Sequence, residues 1–419
     1  MKTAGVIAEY NPFHNGHKYH LEQTREQTGA DYIIAVISGD YVQRGAPASI
    51  NKYIRTEMAL ANGADLVLEL PVYYASGSAE YFAAGAVALL DKLGVTDILS
   101  FGSECGSINI LSGPAKLLAC ESPAFTASLQ ALLRQGKSYP QARSLALIRC
   151  LSVSGAEDFA AYEAAILQPN NILGIEYIKA LLKRKSAILP FTLKREGAAY
   201  HEKNLPDDFC EKSSASALRL SMEQQGNLAL LKKYIPASVY TLLSSDIHSA
   251  FPVTANDFSL LLKYKLLMES KKGYTGYMDV TQELSDKIRK NLNRFTNYND
   301  FCSLLKSREI TYTHISRALL HILLDMKKCA LASYMNDDYI SYARILGFRK
   351  TSGPLLHVIK KNSSIPLISK LADASSLLNE TGNSMLEKEI TASALYDSVV
   401  SNRSGVPTVS EYKKQLIIL

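Results

Sequence analysis

With 419 residues, 47% of them hydrophobic and 21% charged, the chain has the composition of an ordinary globular protein and the length for two or three domains. No apolar run approaches the roughly twenty residues of a membrane span, and Met1-Lys2-Thr3-Ala4 leads directly into a strand without a leader pattern. Six scattered cysteines with no Cys-x-x-Cys pair read as reduced thiols of a cytoplasmic protein, which argues against a disulfide framework or a structural zinc site.

Apolar strands and amphipathic helices alternate over the first hundred residues. Gly5–Tyr10 reads as a strand, His17–Thr28 as a helix, Asp31–Ser38 as a buried strand and Asn51–Asn62 as a helix. A third strand, Asp65–Leu70, stops at Pro71; Ala79–Leu93 is helical and Asp97–Phe101 is a fourth strand. Continuous apolar strands separated by helices predict an α/β fold with a parallel sheet covered on both faces. Ligands then bind beyond the strands' carboxyl ends. Residues 107–165 read as a helical insertion, Asn170–Arg184 as a helix, Ala187–Lys194 as a fifth strand and Ser213–Gln225 as a further helix. A boundary near 225–236 divides a domain over 1–225 from a mainly helical domain over 226–419. The charge is divided too. Residues 1–100 carry 7 basic and 11 acidic groups, net −4, whereas the rest is +10 and the window 251–350 alone is +6. That asymmetry suggests either a polyanionic partner for the far half or a solvated lysine-rich surface.

The run Ile7-Ala8-Glu9-Tyr10-Asn11-Pro12-Phe13-His14-Asn15-Gly16-His17 carries the strongest chemical signal. It passes from a strand through a turn into His-x-Gly-His at a helix start, where backbone N–H groups and the helix dipole favour phosphate. Gly16 lets a nucleotide approach the backbone, and His14 and His17, three apart, share one face of the first turn. These are the parts of an enzyme that cleaves the α–β bond of ATP. The plainer alternative is a pair of turn-capping histidines.

Weaker signals surround it. In Ser213-Ser214-Ala215-Ser216-Ala217-Leu218-Arg219, the hydroxyls of Ser214 and Ser216 can cap a helix or bind phosphate, and Arg219 can reach the same anion. Asn170 and Asn171 can hydrogen-bond a base or ribose, or simply cap their helix. Arg195, at a strand end, can meet a nucleotide phosphate. In Ser38-Gly39-Asp40-Tyr41-Val42-Gln43-Arg44-Gly45, Arg44 is suited to holding a small carboxylate and Asp40 to accepting a proton from an amine. Tyr334, Tyr339 and Tyr342 interleave with Arg344, Arg349 and Lys350, a pattern that serves either RNA stacking or core packing. No carboxylate cluster marks a magnesium site, although ATP chemistry makes magnesium plausible.

Together, Gly-Val-Ile-Ala-Glu-Tyr-Asn-Pro-Phe-His-Asn-Gly-His, Ser-Gly-Asp-Tyr-Val-Gln-Arg-Gly, Pro-Asn-Asn-Ile-Leu-Gly-Ile-Glu-Tyr and Tyr-Ala-Arg-Ile-Leu-Gly-Phe resemble the bacterial tRNA(Met) cytidine acetate ligase family over essentially the whole chain. The resemblance implies a Rossmann-like nucleotidyltransferase domain of the HIGH type followed by a helical tRNA-binding domain. It also implies ATP-dependent activation of acetate as acetyl-adenylate, and transfer to N4 of the wobble cytidine of elongator tRNA(Met). By position it assigns ATP to Ile7–His20, including Lys18, Tyr19 and His20, joined by Gly102, Asn170 and Arg195. No acetyl-coenzyme A motif is visible, in keeping with use of free acetate. A small-molecule adenylyltransferase would leave the basic far half without a use. A non-catalytic RNA-binding protein would not need groups that stabilise pyrophosphate.

Overall fold

The computed structural model describes residues 1–153, 159–195, 215–225, 228–244 and 251–419. Ten strands are present among them: β1 (Thr3–Ala8), β2 (Tyr32–Ser38), β3 (Tyr41–Val42), β4 (Ala46–Pro47), β5 (Leu66–Leu70), β6 (Ile98–Ser103), β7 (Leu189–Lys194), β8 (Ala343–Phe348), β9 (Leu367–Ile368) and β10 (Ile417–Ile418). The main sheet runs β10-β8-β5-β2-β1-β6-β7, with β9 also paired to β8. Strands β5, β2, β1, β6 and β7 are mutually parallel. The strand order reverses at β1, and sheets of this kind form their ligand crevice at such a point, here beyond the carboxyl ends of β1 and β6.

Alternation along the strands divides the core. Ile33, Ala35 and Ile37 of β2 pack with Leu21, Met58 and Leu60 on one face of the sheet. Ile34 and Val36 face the other way, toward Leu89, Ile178 and the C-terminal helices. This is the period of two expected of a strand buried on both sides. Between β6 and β7 lie the insertion helices Ile108–Ala119, Pro123–Arg134, Tyr139–Val153 and Phe159–Ile166, followed by Pro169–Arg184.

Two expectations change. Strand β1 ends at Ala8 because Tyr10 has φ of +49°, and the next helix starts at Asn15 with His14 as its cap. The described residues of 226–419 are mainly helical, but they also supply three strands to the main sheet. β8 pairs antiparallel with β5 and carries β9 and β10 parallel to itself. The expected boundary therefore does not divide the sheet from the helices. Among the described residues no helix is long and apolar enough to cross a membrane.

Candidate nucleotide site

His14 and His17 tie up the helix start themselves. His14 Nδ1 accepts from the Gly16 amide at 3.1 Å, and His17 Nδ1 accepts from the His14 amide at 3.2 Å. The Asn15 amide donates to the Tyr234 carbonyl, and the His17 and Lys18 amides donate to the His14 carbonyl. These amides are therefore already paired, and the expected backbone phosphate cradle gives way to the imidazoles. Gly16 also has a duty toward His14. A Cβ there would lie 3.0 Å from His14 Cε1, so its missing side chain is what lets the ring fold back over the turn.

A neutral imidazole that accepts at Nδ1 carries its proton on Nε2. Both rings are neutral at physiological pH. Burial, then the charges of Arg195 and Arg219, pushes His14 down to about 3. Burial, then His14, Arg195 and His20, holds His17 well below its ordinary value. The rings stack with centroids 3.7 Å apart, while Tyr10 meets His17 edge-on at 4.9 Å. Each ring thus has an Nε2–H donor to offer; the charge of Arg195 reaches both rings and that of Arg219 reaches His14, an arrangement that favours charge developing on phosphate. Capping and phosphate binding are compatible because they use opposite nitrogens.

His20, one turn further on, meets Ser100 Oγ of β6 at 3.2 Å, and Ser100 in turn meets Thr24 Oγ1 at 2.7 Å. Burial and the charge of Arg195 lower His20 to about 4. Arg219 donates to the Asn11 carbonyl at 2.8 Å, bringing a distant helix to the turn. Arg195 lies over Gly102, where a Cβ would sit 3.1 Å from its Cγ. Ile7, Ala8 and Glu9 are half-buried at the crevice, whereas Tyr10, Asn11, Pro12 and Phe13 are buried beneath it. Lys18 faces solvent beside Glu22. Tyr19 is half-buried. Ser214 lies outside the described residues, as does the side chain of Ser216.

Several sequence-predicted residues have other duties. Asn171 is buried and accepts at Oδ1 from the Glu104 and Cys105 amides. Glu104 returns the contact, accepting from the Asn170 amide and side chain and from the Asn171 amide. Glu104, which sequence reasoning assigned no role, is thus the anion at the start of helix Pro169–Arg184. Its position just after a strand was the only signal. The Asn171 side chain is committed to this clamp through Oδ1, and the half-buried Asn170 joins it through Nδ2.

Asp40 is buried rather than open to substrate. Its Oδ1 accepts from the Lys52 amide at 3.0 Å, and its Oδ2 lies 3.7 Å from Lys52 Nζ. That lysine is fully buried and also holds Glu69 at 2.7 Å and Glu411 at 2.6 Å. Burial and the charge of Arg344 act to lower Lys52, but Glu69, Asp40 and Glu411 leave it above its ordinary value. Arg344 completes the cluster, 2.8 Å from Glu69 and 2.7 Å from Glu411. Tyr342 and Arg344 are therefore internal, and the aromatic-basic pattern they belong to is core packing rather than an RNA surface. Arg349 is half-buried, donating to the Leu60 carbonyl, and Lys350 is exposed. Arg44 is half-buried in the β3–β4 hairpin. Among the described residues no group of three or more His, Cys, Asp or Glu converges as a metal site.

A model of HIGH nucleotidyl transferases matches residues 1–408, the class that the sheet order and the histidine turn define. Relatives narrow this further. The tRNA(Met) cytidine acetate ligase of Caldanaerobacter subterraneus subsp. tengcongensis is 39% identical over 403 residues, covering 96% of each chain. Its counterpart in Caldicellulosiruptor saccharolyticus is 41% identical over 398 residues, covering 94% of each. The crystal structure of Thermotoga maritima TmcAL superposes with a TM-score of 0.92 at 30% identity over the full length of both chains. A form of that protein bound with alpha-thio ATP gives 0.91. The chain belongs to the tRNA(Met) cytidine acetate ligase family.

Proposed function

We propose that this chain uses ATP to activate acetate and transfers the acetyl group to N4 of the wobble cytidine of elongator tRNA(Met). The observation that carries this reading is the set of neutral imidazoles flanked by Arg195 and Arg219 at the point where the strand order reverses. An acetate oxygen attacks the α-phosphorus of ATP, the bond to pyrophosphate breaks, and acetyl-adenylate forms. The Nε2–H groups of His14 and His17 donate to the phosphates as charge builds, and the guanidiniums neutralise it. A magnesium ion accompanying ATP would be held chiefly by phosphate oxygens.

Cytosine's exocyclic amine is a weak nucleophile, because its lone pair is delocalised into the ring, and it needs an activated acyl donor. The base must also leave its stack to reach the anhydride. Exposed Arg289, Lys290, Arg294, Lys306 and Arg308 give the C-terminal helices a cationic surface for the RNA backbone. Lys287 Nζ donates to the Lys306 carbonyl at 3.4 Å, joining two of these segments. Free acetate, with no coenzyme A carrier, is the acyl source in this reading.

The test is to incubate the protein with ATP, isotopically labelled acetate and unmodified elongator tRNA(Met), then analyse the nucleosides by mass spectrometry. Labelled N4-acetylcytidine is expected, and His17→Ala should lower its rate by roughly 10²–10³-fold. ATP binding without any labelled nucleoside would point instead to a small-molecule acceptor.

A further inference from the structure

Acetyl transfer requires the attacking amine to lose a proton, and Asp40, the sequence-predicted acceptor, is locked against Lys52. We infer that Glu9 takes this proton, acting as the general base for the wobble cytidine amine. The assignment rests on the ligase reading above. Glu9 directly follows β1, at the crevice, and is half-buried. Its Oε1 accepts from the Gln43 amide at 3.0 Å. No hydrogen bond from a described residue engages Oε2. One oxygen is thus fixed by the hairpin that follows β2 while the other is available to a substrate.

The alternation of β1 directs Glu9 away from the layer that holds the histidine helix. Val6 and Ala8 face the layer that holds helix Asn15–Thr28. Ile7 packs on the opposite side, and Glu9 continues the Ile7 side of the alternation. The charge of Glu9 is felt by Tyr177 of helix Pro169–Arg184, whose phenol is raised first by burial and then by this carboxylate. Behind it, Arg55 donates to the Glu9 carbonyl at 2.6 Å and to the Ser38 carbonyl at 2.9 Å, fixing the backbone. The half-buried Arg44 neighbours Gln43 in the same hairpin.

The step balances without another reactant. The N4 lone pair attacks the acetyl carbonyl of acetyl-adenylate, and the N–H proton passes to Glu9 Oε2. The carbon–oxygen bond to AMP then breaks, giving N4-acetylcytidine and AMP, and the proton leaves Glu9 to solvent. General-base help of this kind contributes about 10²–10⁴-fold.

Two acceptors for the same anhydride supply the test. Hydroxylamine traps acetyl-adenylate as acetohydroxamate without a protein base, whereas cytidine in tRNA needs one. Glu9→Gln retains an oxygen that can accept from the Gln43 amide, and its unfolding midpoint is compared with that of the unaltered protein. Acetylation of tRNA is expected to fall at least about 100-fold more than hydroxamate formation, with Glu9→Asp in between. Equal loss in both reactions, or loss in neither, overturns the assignment alone. Hydroxamate without N4-acetylcytidine from the unaltered protein overturns the ligase reading and the assignment with it.

Discussion

Neutral histidines at a nucleotide site have a thermodynamic signature. His14 and His20 are held at about 3 and 4, against roughly 6.5 in an unfolded chain. Between those values the unfolded chain binds protons that the native state refuses, so stability falls as pH drops below about 6.5. At pH 5 each histidine accounts for about 2 kcal/mol of this loss. His20→Gln, which keeps a partner for Ser100, is therefore expected to shrink the stability difference between pH 7 and pH 5 by about that amount in urea unfolding. An undiminished difference would mean that His20 titrates normally. The residue scale is also where the sequence was most informative: the spacing of His14 and His17 placed both rings on one turn. It was silent about which nitrogen each ring spends on the backbone, because that depends on the cap geometry at His14.

At the scale of elements, the β3–β4 hairpin links the crevice to the C-terminal helices. Gly45 has φ of +75°, and a Cβ there would lie 2.3 Å from the Arg317 amide nitrogen. Its carbonyl accepts from Ser316 Oγ at 2.8 Å and Tyr298 OH at 3.3 Å. Gly45→Ala should cost about 1–3 kcal/mol or more in urea unfolding. It should also weaken acetyl transfer more than ATP binding, since Gln43, the anchor of Glu9, lies in this hairpin. Unchanged stability would mean that the hairpin does not bear on helix Tyr312–Leu323. The parallel strands were readable because each is a continuous apolar run between helices. Strand β8 was not, for a physical reason: in Ala-Arg-Ile-Leu-Gly-Phe the arginine reads as surface until Glu69 and Glu411 are placed beside it. Asn170 and Asn171 stayed open to two readings for a similar reason, since their partner Glu104 lies 66 residues away from Asn170 in the chain.

Across the whole molecule, the buried charges join segments distant in sequence: Asp40 and Lys52, Glu69 of β5, Arg344 of β8, and Glu411 near the end of the sequence. Burial opposes ionisation of Glu411, but Lys52, Arg344 and Lys414 hold it well below its ordinary value. Glu411→Ala leaves two buried cations short of a partner, and a loss of about 3–5 kcal/mol is expected, measured by urea unfolding. A loss below 1 kcal/mol would show that water or a neighbour compensates. Burial and the adjacent Glu69 push Glu389 well above the usual carboxylate range, and its Oε2 accepts from the Val72 amide at 2.6 Å.

Such a cluster also constrains descent. Replacing Lys52, Glu69, Arg344 or Glu411 singly strands a charge, while replacing all four together with Asp40 by apolar residues of similar volume removes the charges that depend on Lys52 and Arg344. A lineage can cross between those solutions only through a weakened intermediate. Aligned relatives are therefore expected to keep these five residues together or exchange them as a set, although no hydrogen bond or ion pair among the described residues links any of them to the histidine turn.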